Sequence, residues 1–413
     1  MRIIFDLTPT VDGYSARMQS PDQSEQWIDA TTASMRNDTL TITIAPIGFS
    51  YIGKFNGLTI EGAFTQMGRT FEMDLTREEI VQHRPQEPKP KYPYDIEDVV
   101  FRNEQAGIDL AGTLTLPWVG EKPFPVVVLV SGSGPQDRDE SVAGHKPFWI
   151  IADRLTQQGI AVLRYDDRGV GQSGGNYATA TVDDLADDAH AATAYIRKRF
   201  SPASVGVIGH SEGGWVALKL AAEKKTDFIV TLAAPGVDGK ELMNMQRSAL
   251  MKASGMPDVF IDAYNQKMNE AVEAALAVEN QNELRDTITA LLTGTPLESG
   301  IETAVIQLSL PEMRSFLQTD PALFWSNISC PVLALNGEKD LQVPAGPNLE
   351  AIRSGLMHNP QVTTKSYPAL NHLFQTATTG LPTEYKTIEE TFHDPVIQEI
   401  AEWILETCRR DHQ

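Results

Sequence analysis

From about residue 96 onward the chain alternates strand-like runs with helical ones, and this alternation limits the fold more than any other feature. The strand-like runs are DVVFRN, IDLAGTLTL, PVVVLVSG, IAVLRYD, SVGVIGH, FIVTLAA, PVLALNG and TTKSYPA. Helical segments such as KPFWIIADRLTQQG and VDDLADDAHAATAYIRKRF lie between several of them. Strands linked through helices build a mainly parallel sheet with crossover helices. The expected fold class is therefore α/β, with a sheet of about eight mostly parallel strands.

About ninety residues, 236–325, separate FIVTLAA from PVLALNG and run almost wholly in helical periodicity with Gly and Pro breaks. That length far exceeds an ordinary connection, so an inserted helical cap is expected there. Residues 1–82 are written differently. Short bursts of apolar and polar alternation (RIIFDL, TLTITI, FEMDLT) are separated by Asp-Gly, Asn-Gly and Met-Gly turn signals, the pattern of a small antiparallel β-domain. Between the two regions HRPQEPKPKYPYD, residues 83–95, holds four prolines, which disfavour both helix and central strand. It reads as a linker, leaving 96–413 as the α/β domain.

Charge narrows the partners. With 34 Lys+Arg against 55 Asp+Glu the formal net charge is −21, which repels phosphate backbones and anionic membrane surfaces. Nucleic acid is not expected as a partner, and nothing in the sequence fixes an oligomeric state. No run reaches the roughly 18 apolar residues a spanning helix needs, and MRIIFDLTPT lacks the apolar core of a signal peptide. Because MRIIFDL already reads as a strand, the compartment stays open: periplasmic or secreted if an export signal was removed upstream, otherwise cytoplasmic. The two cysteines, Cys330 and Cys408, have no metal or disulfide spacing and read as packing residues.

The chemistry is concentrated in GHSEGG. Gly209, Ser211 and Gly213 form G-x-S-x-G between the strand SVGVIG and the helix-like WVALKLAAEKK. A nucleophile lifted on a sharp strand-to-helix turn needs small neighbours, and the helix behind it aims amides and a positive dipole end at developing negative charge. A serine also needs a base, and the base an orienting group, in the chain order Ser, acid, His. PVLALNGEKDLQVP supplies Asp340 beyond one late strand, with Glu338 as the competing acid, and YPALNHLF supplies His372 beyond the next. The other histidines precede the acid or lie in helical or terminal segments.

A tetrahedral intermediate needs amide donors as well. The loop VSGSGPQDRDE and the residue after the nucleophile supply them, so the Ser133 and Glu212 N–H groups are the expected oxyanion pair, with Asp137, Arg138 and Asp139 bracing the loop through ion pairs. GVGQSG, residues 169–174, satisfies G-x-G-x-x-G after a strand. A dinucleotide site would need a helix starting within it, whereas helical pattern resumes only at Val182, so it reads as a glycine turn. No Walker lysine motif, H-E-x-x-H or paired CxxC occurs, so no metal or nucleotide cofactor is expected.

Taken in order, SGSGPQDRD, RYDDRGVGQSGG, GHSEGG, LNGEKDLQVP and NHLF resemble the α/β-hydrolase superfamily over roughly residues 96–413. More narrowly, the chain resembles the bacterial carboxylesterase and serine-aminopeptidase-like group in which a β-rich domain precedes the hydrolase. The resemblance implies a serine esterase acting on small-molecule esters, with Ser211 as nucleophile, His372 as base and Asp340 as orienting acid. The chain departs from many relatives in carrying Ser131 where they have histidine before the glycine. Peptide or amide hydrolysis by the same triad, and a non-catalytic binding role on a hydrolase fold, are the alternatives. In ELMNMQRSALMKASGM of the cap, Leu242, Met243, Met245, Leu250, Met251 and Met256 are expected to divide between anchoring the cap and lining a short acyl site.

Overall fold

The computed structural model describes residues 3–10, 13–20, 24–66, 68–77, 83–120, 122–295 and 297–410. Two compact units divide the chain, Met1–His83 and Arg84–Gln413. In the first, β1 (Ile4–Thr10), β2 (Gly13–Ser20) and β3 (Ser24–Asp29) make one antiparallel sheet. A second antiparallel sheet contains β4 (Thr32–Arg36), β5 (Thr39–Ile44), β6 (Phe49–Phe55), β7 (Ile60–Gln66) and β8 (Arg69–Glu72). The alternation in TLTITI is a real face: Leu40, Ile42 and Ile44 are buried against Phe49, Tyr51 and Phe64, while the intervening threonines are only half-buried. The Met1–Arg2 start of the first burst and Met67 of the Met-Gly turn lie outside the described residues.

The second unit is built on eight strands: β9 (Tyr94–Asn103), β10 (Ile108–Pro117), β11 (Val126–Val130), β12 (Ala161–Tyr165), β13 (Val205–His210), β14 (Phe228–Leu232), β15 (Val332–Gly337) and β16 (Val362–Tyr367). Their order across the sheet is β16-β15-β14-β13-β11-β12-β10-β9. From β12 to β16 all pairings are parallel, whereas β10 runs antiparallel to both β9 and β12. This is the α/β-hydrolase arrangement.

Each face of the sheet has its own core. Val126, Val128 and Val130 of β11 pack with α2 (Val182–Phe200) and α3 (Glu212–Ala222), while Val127 and Leu129 face α1 (Pro147–Gln157) on the opposite side. Burial on both faces explains why these strands are apolar throughout instead of alternating. The proline-rich stretch is fastened to this unit. The Arg84 guanidinium donates to the carbonyls of Ala143, Gly144, Lys386 and Ile388, Gln86 bonds to Thr391 and Phe392, and Tyr94 already belongs to β9.

Although β14 and β15 are hydrogen-bonded neighbours, five helices lie between them in sequence: α4 (Gly239–Ala253), α5 (Asp258–Ala277), α6 (Gln281–Leu292), α7 (Ile301–Ser309) and α8 (Pro311–Gln318). Asp238 and Asn280 start α4 and α6 by accepting first-turn amides. These helices share an apolar cluster that includes Val272, Leu284, Ile288, Leu308 and Leu317. Leu242 joins the sheet core instead, and Phe316 packs on Trp215 of α3 with ring centroids 4.9 Å apart. After β15 come α9 (Ala345–Gly355) and, following β16, α10 (Asp394–Arg410), which buries Cys408. Cys330 is half-buried before β15, and neither cysteine takes part in a disulfide. Among the described residues no helix is long and apolar enough to cross a membrane.

Candidate active site

β13 ends at His210 and α3 begins at Glu212, leaving Ser211 alone on the turn with φ 52° and ψ −121°. Such a conformation costs a non-glycine residue on the order of 1–3 kcal/mol and persists only when its surroundings enforce it. Here the Ser211 N–H donates to Leu232 O at 2.9 Å, its carbonyl accepts from Gly214 N–H at 2.9 Å, and Trp215, Val216 and Leu218 of α3 are fully buried. The glycines have a steric reason. A Cβ on Gly209 would lie 2.0 Å from Gly213 O, and one on Gly213 would lie 2.3 Å from Val130 O. Backbone packs on backbone, and the serine side chain alone is presented.

Asp340 follows β15 and His372 follows β16, and the two meet: His372 Nδ1 is 2.8 Å from Asp340 Oδ2, with the residues 5% and 3% exposed. The other carboxylate oxygen accepts the N–H groups of Gln342 and Val343, both at 2.8 Å, so the acid cannot swing away without losing three bonds. Glu338 is exposed and accepts instead from the Ser366 hydroxyl at 2.7 Å. The turn carrying His372 is closed by Asn371, whose Oδ1 accepts from Leu373 and Gln375 N–H at 3.0 and 2.9 Å. His210, the residue before Ser211, places its ring 4.7 Å from that of His372.

In the loop after β11, Gly132 N–H is taken by Glu140 Oε1 at 2.7 Å and Gly134 N–H by the Tyr177 hydroxyl at 2.9 Å. Between them Ser133 N–H, like Glu212 N–H at the first position of α3, donates to no protein acceptor among the described residues. Ser131 takes a structural part, donating to Asp167 Oδ1 at 2.9 Å. Burial pushes the Asp167 carboxyl up to about 8. Arg138 pairs with Asp166 at 2.6 Å and Asp139 with Arg164, as a bracing loop requires. Asp137 differs, since it accepts from the N–H groups of Asp139 and Ser141 and caps its own turn. GVGQSG is a turn closed by Gly169 N–H to Gly174 O at 2.9 Å, and α2 starts only at Val182, behind the N-cap Thr181 of a Thr181–Asp184 capping box.

The Glu212 side chain is buried, and its Oε2 has no hydrogen-bond partner among the described residues. Burial pushes its pKa up to about 7, with the charge of Glu312 on α8 adding to the shift and the nearby Ser133 hydroxyl opposing it. Three contributors escaped the motif reading: Glu140, His210 and Asn371. His210 and Asn371 adjoin motif residues, so position alone pointed to them, whereas Glu140 carries no local signal.

A family model described as serine aminopeptidase, S33, matches residues 146–376, which include Ser211, Asp340 and His372. The chain belongs to the serine aminopeptidase S33 family. Within curated proteins it is 27% identical over 321 residues to esterase EstD of Thermotoga maritima, covering 76% of this chain and 71% of that protein. It is 24% identical over 297 residues to a monoacylglycerol lipase of Mycolicibacterium smegmatis, covering 68% and 89%. Among solved structures, Pyrococcus furiosus esterase Pf2001 aligns at 17% identity and TM-score 0.47 over 76% of this chain and 93% of that one.

Proposed function

We infer that this member of the serine aminopeptidase S33 family is a serine hydrolase that cleaves carboxylic esters through an acyl-enzyme on Ser211. The observation that carries the reading is the buried Asp340–His372 hydrogen bond beside a serine held at φ 52°. Two relatives named as an esterase and a monoacylglycerol lipase support the choice of ester over amide. His372 takes the proton of Ser211 through its free ring nitrogen, and Oγ attacks the ester carbonyl. The resulting oxyanion is held by the Ser133 and Glu212 N–H groups, which cost no reorganisation because they are already unpaired. Asp340 holds the imidazole in the productive tautomer and stabilises the imidazolium, which then protonates the departing alkoxide. Water, deprotonated by the same histidine, releases the acid.

Ser211→Ala should lower turnover of a neutral short-chain ester by about a million-fold while leaving the fold intact. Labelling by a serine-directed phosphonate should vanish with it. Appreciable esterase activity in the variant, or a label on another serine, would sink the assignment. Amide cleavage remains the second reading because the family's description is that of an aminopeptidase. Matched ester and anilide substrates separate the two: the proposal expects the ester to be turned over far faster.

A further inference from the structure

Two buried ionisable side chains beside the site have no part in the chemistry described so far. Glu140 and His210 are 3% and 5% exposed, and Glu140 Oε1 lies 2.8 Å from His210 Nδ1. That same oxygen accepts Gly132 N–H at 2.7 Å. The opposite ring nitrogen, His210 Nε2, lies 2.9 Å from the backbone carbonyl of His372. A neutral imidazole carries one N–H, yet here both nitrogens face acceptors. With Glu140 ionised, only the doubly protonated ring satisfies both. Burial alone would push the His210 pKa down, but the charge and hydrogen bond of Glu140, helped by the His372 carbonyl and by Asp340, outweigh it and hold the pKa above the ordinary histidine value.

Three parts of the site therefore end on one pair: the loop after β11 through Gly132, the nucleophile strand through His210, and the base turn through the His372 carbonyl. We propose that the Glu140–His210 ion pair positions both halves of the reaction centre, fixing the Ser133 amide and the His372 imidazole relative to Ser211. This rests on the roles given to those three residues under the proposed function. Neither member of the pair is placed to touch substrate, so both are positioning residues. Tolerance is small, because the Cβ position of Gly132 is only 3.0 Å from Ser211 Cβ. Glu140 holds its place at φ 51°, a left-handed conformation, which suits a carboxylate that must reach two donors at once.

The test is Glu140→Gln. One atom faces both Gly132 N–H and His210 Nδ1, so an amide oxygen there forces the ring proton onto Nδ1 and leaves Nε2 lone-pair to lone-pair with the His372 carbonyl, while an amide nitrogen loses Gly132. Either way a link is lost. The expected result is a fall of about a hundredfold in kcat on a neutral short-chain ester, with KM within about twofold, as for a misplacement of about 1 Å. In wild type, nitrogen-15 spectra should show the His210 ring titrating above the ordinary histidine value, and this needs no variant. Retained hydrolysis by Ser211→Ala would remove the proposed function and this proposal with it. An essential, phosphonate-labelled Ser211 alongside wild-type kcat in Glu140→Gln would overturn the positioning role alone, as would a His210 ring that titrates below the ordinary histidine value.

Discussion

Asp340 and Glu338 are two residues apart and could not be separated by composition, only by the loop pattern around them. The structure separates them by what they touch: Asp340 holds His372 and two backbone amides, Glu338 a surface serine. Asp340→Asn should lower kcat by about ten-thousand-fold at neutral pH, since an amide favours the wrong tautomer and cannot stabilise the imidazolium. Glu338→Gln should change it by less than about threefold on the same reasoning for an exposed group, and steady-state kinetics on both variants ranks them. Motifs pointed to the proposed triad of Ser211, Asp340 and His372 because such chemistry demands fixed residue types in a fixed order. They missed Glu140, whose role depends on a fold-back of the loop that brings its carboxylate to Gly132 and His210. A different residue-scale prediction concerns Glu212, whose folded pKa of about 7 lies above that of an unfolded glutamate. The folded state therefore keeps the proton longer, and stability from this group is intact below about pH 4 and falls as pH rises through 7. The loss amounts to roughly 3 kcal/mol, from 1.36 kcal/mol per pKa unit. Denaturant unfolding at pH 4.5 and pH 8 should show Glu212→Gln gaining on wild type by about that amount, with the shared contribution of Asp167 cancelling in the difference; a flat difference would show that Glu212 does not titrate in this range.

At the scale of elements, all eight strand-like runs became strands, and both quoted helices appear with ends shifted by at most a few residues. Their order was not legible. That β12 slots between β11 and β10, and that β10 runs antiparallel, depends on hydrogen-bond partners that no local pattern encodes. The methionine-rich α4 also resolves into faces. Met243 packs in the cluster of the inserted helices, whereas Met245 lies three residues beyond the core-anchoring Leu242 and one before Gln246, whose side-chain amide is 3.4 Å from Gln342 beside the acid loop. Met251 falls on the face of Arg247, which bonds Asn265 and Asn269 of α5. Met256 is exposed. Met245→Ala is therefore expected to flatten the dependence of kcat/KM on acyl-chain length, removing up to about fourfold per methylene, the equivalent of 0.8 kcal/mol. Met243→Ala should instead lower stability by about 2 kcal/mol or more and leave the chain-length profile alone. Esters from acetyl to dodecanoyl, assayed with both variants, decide between these roles.

For the molecule as a whole, a formal charge of −21 sets how charged substrates approach. Screening lengths shrink from about 30 Å at 0.01 M salt to about 8 Å at 0.15 M. Raising salt across that range should increase kcat/KM for an ester bearing a carboxylate by roughly two- to threefold relative to a neutral ester, through weaker repulsion. Stopped-flow or initial-rate measurements on the matched pair would show it, and equal responses would mean that local groups screen the site from the overall field. The sequence changes period, from two in residues 1–82 to alternating strands and helices beyond. Neither period reports that Arg84 and Gln86 clamp carbonyls some three hundred residues later, because such bonds answer to the finished surface. The five helices between β14 and β15 carry a consequence for how the chain reaches its native state. Ile229 must find Val332 across more than a hundred residues, but the entropic cost of closing a loop grows only as the logarithm of its length, about 0.6 kcal/mol for each doubling. Because those helices bury a cluster of their own, they can condense from near-neighbour contacts first and shorten the span the sheet has to close. On the proposed mechanism the Ser211 turn is synthesised long before Asp340 and His372, so hydrolytic competence would arrive only when the last strands dock, and the growing chain would be spared a reactive serine.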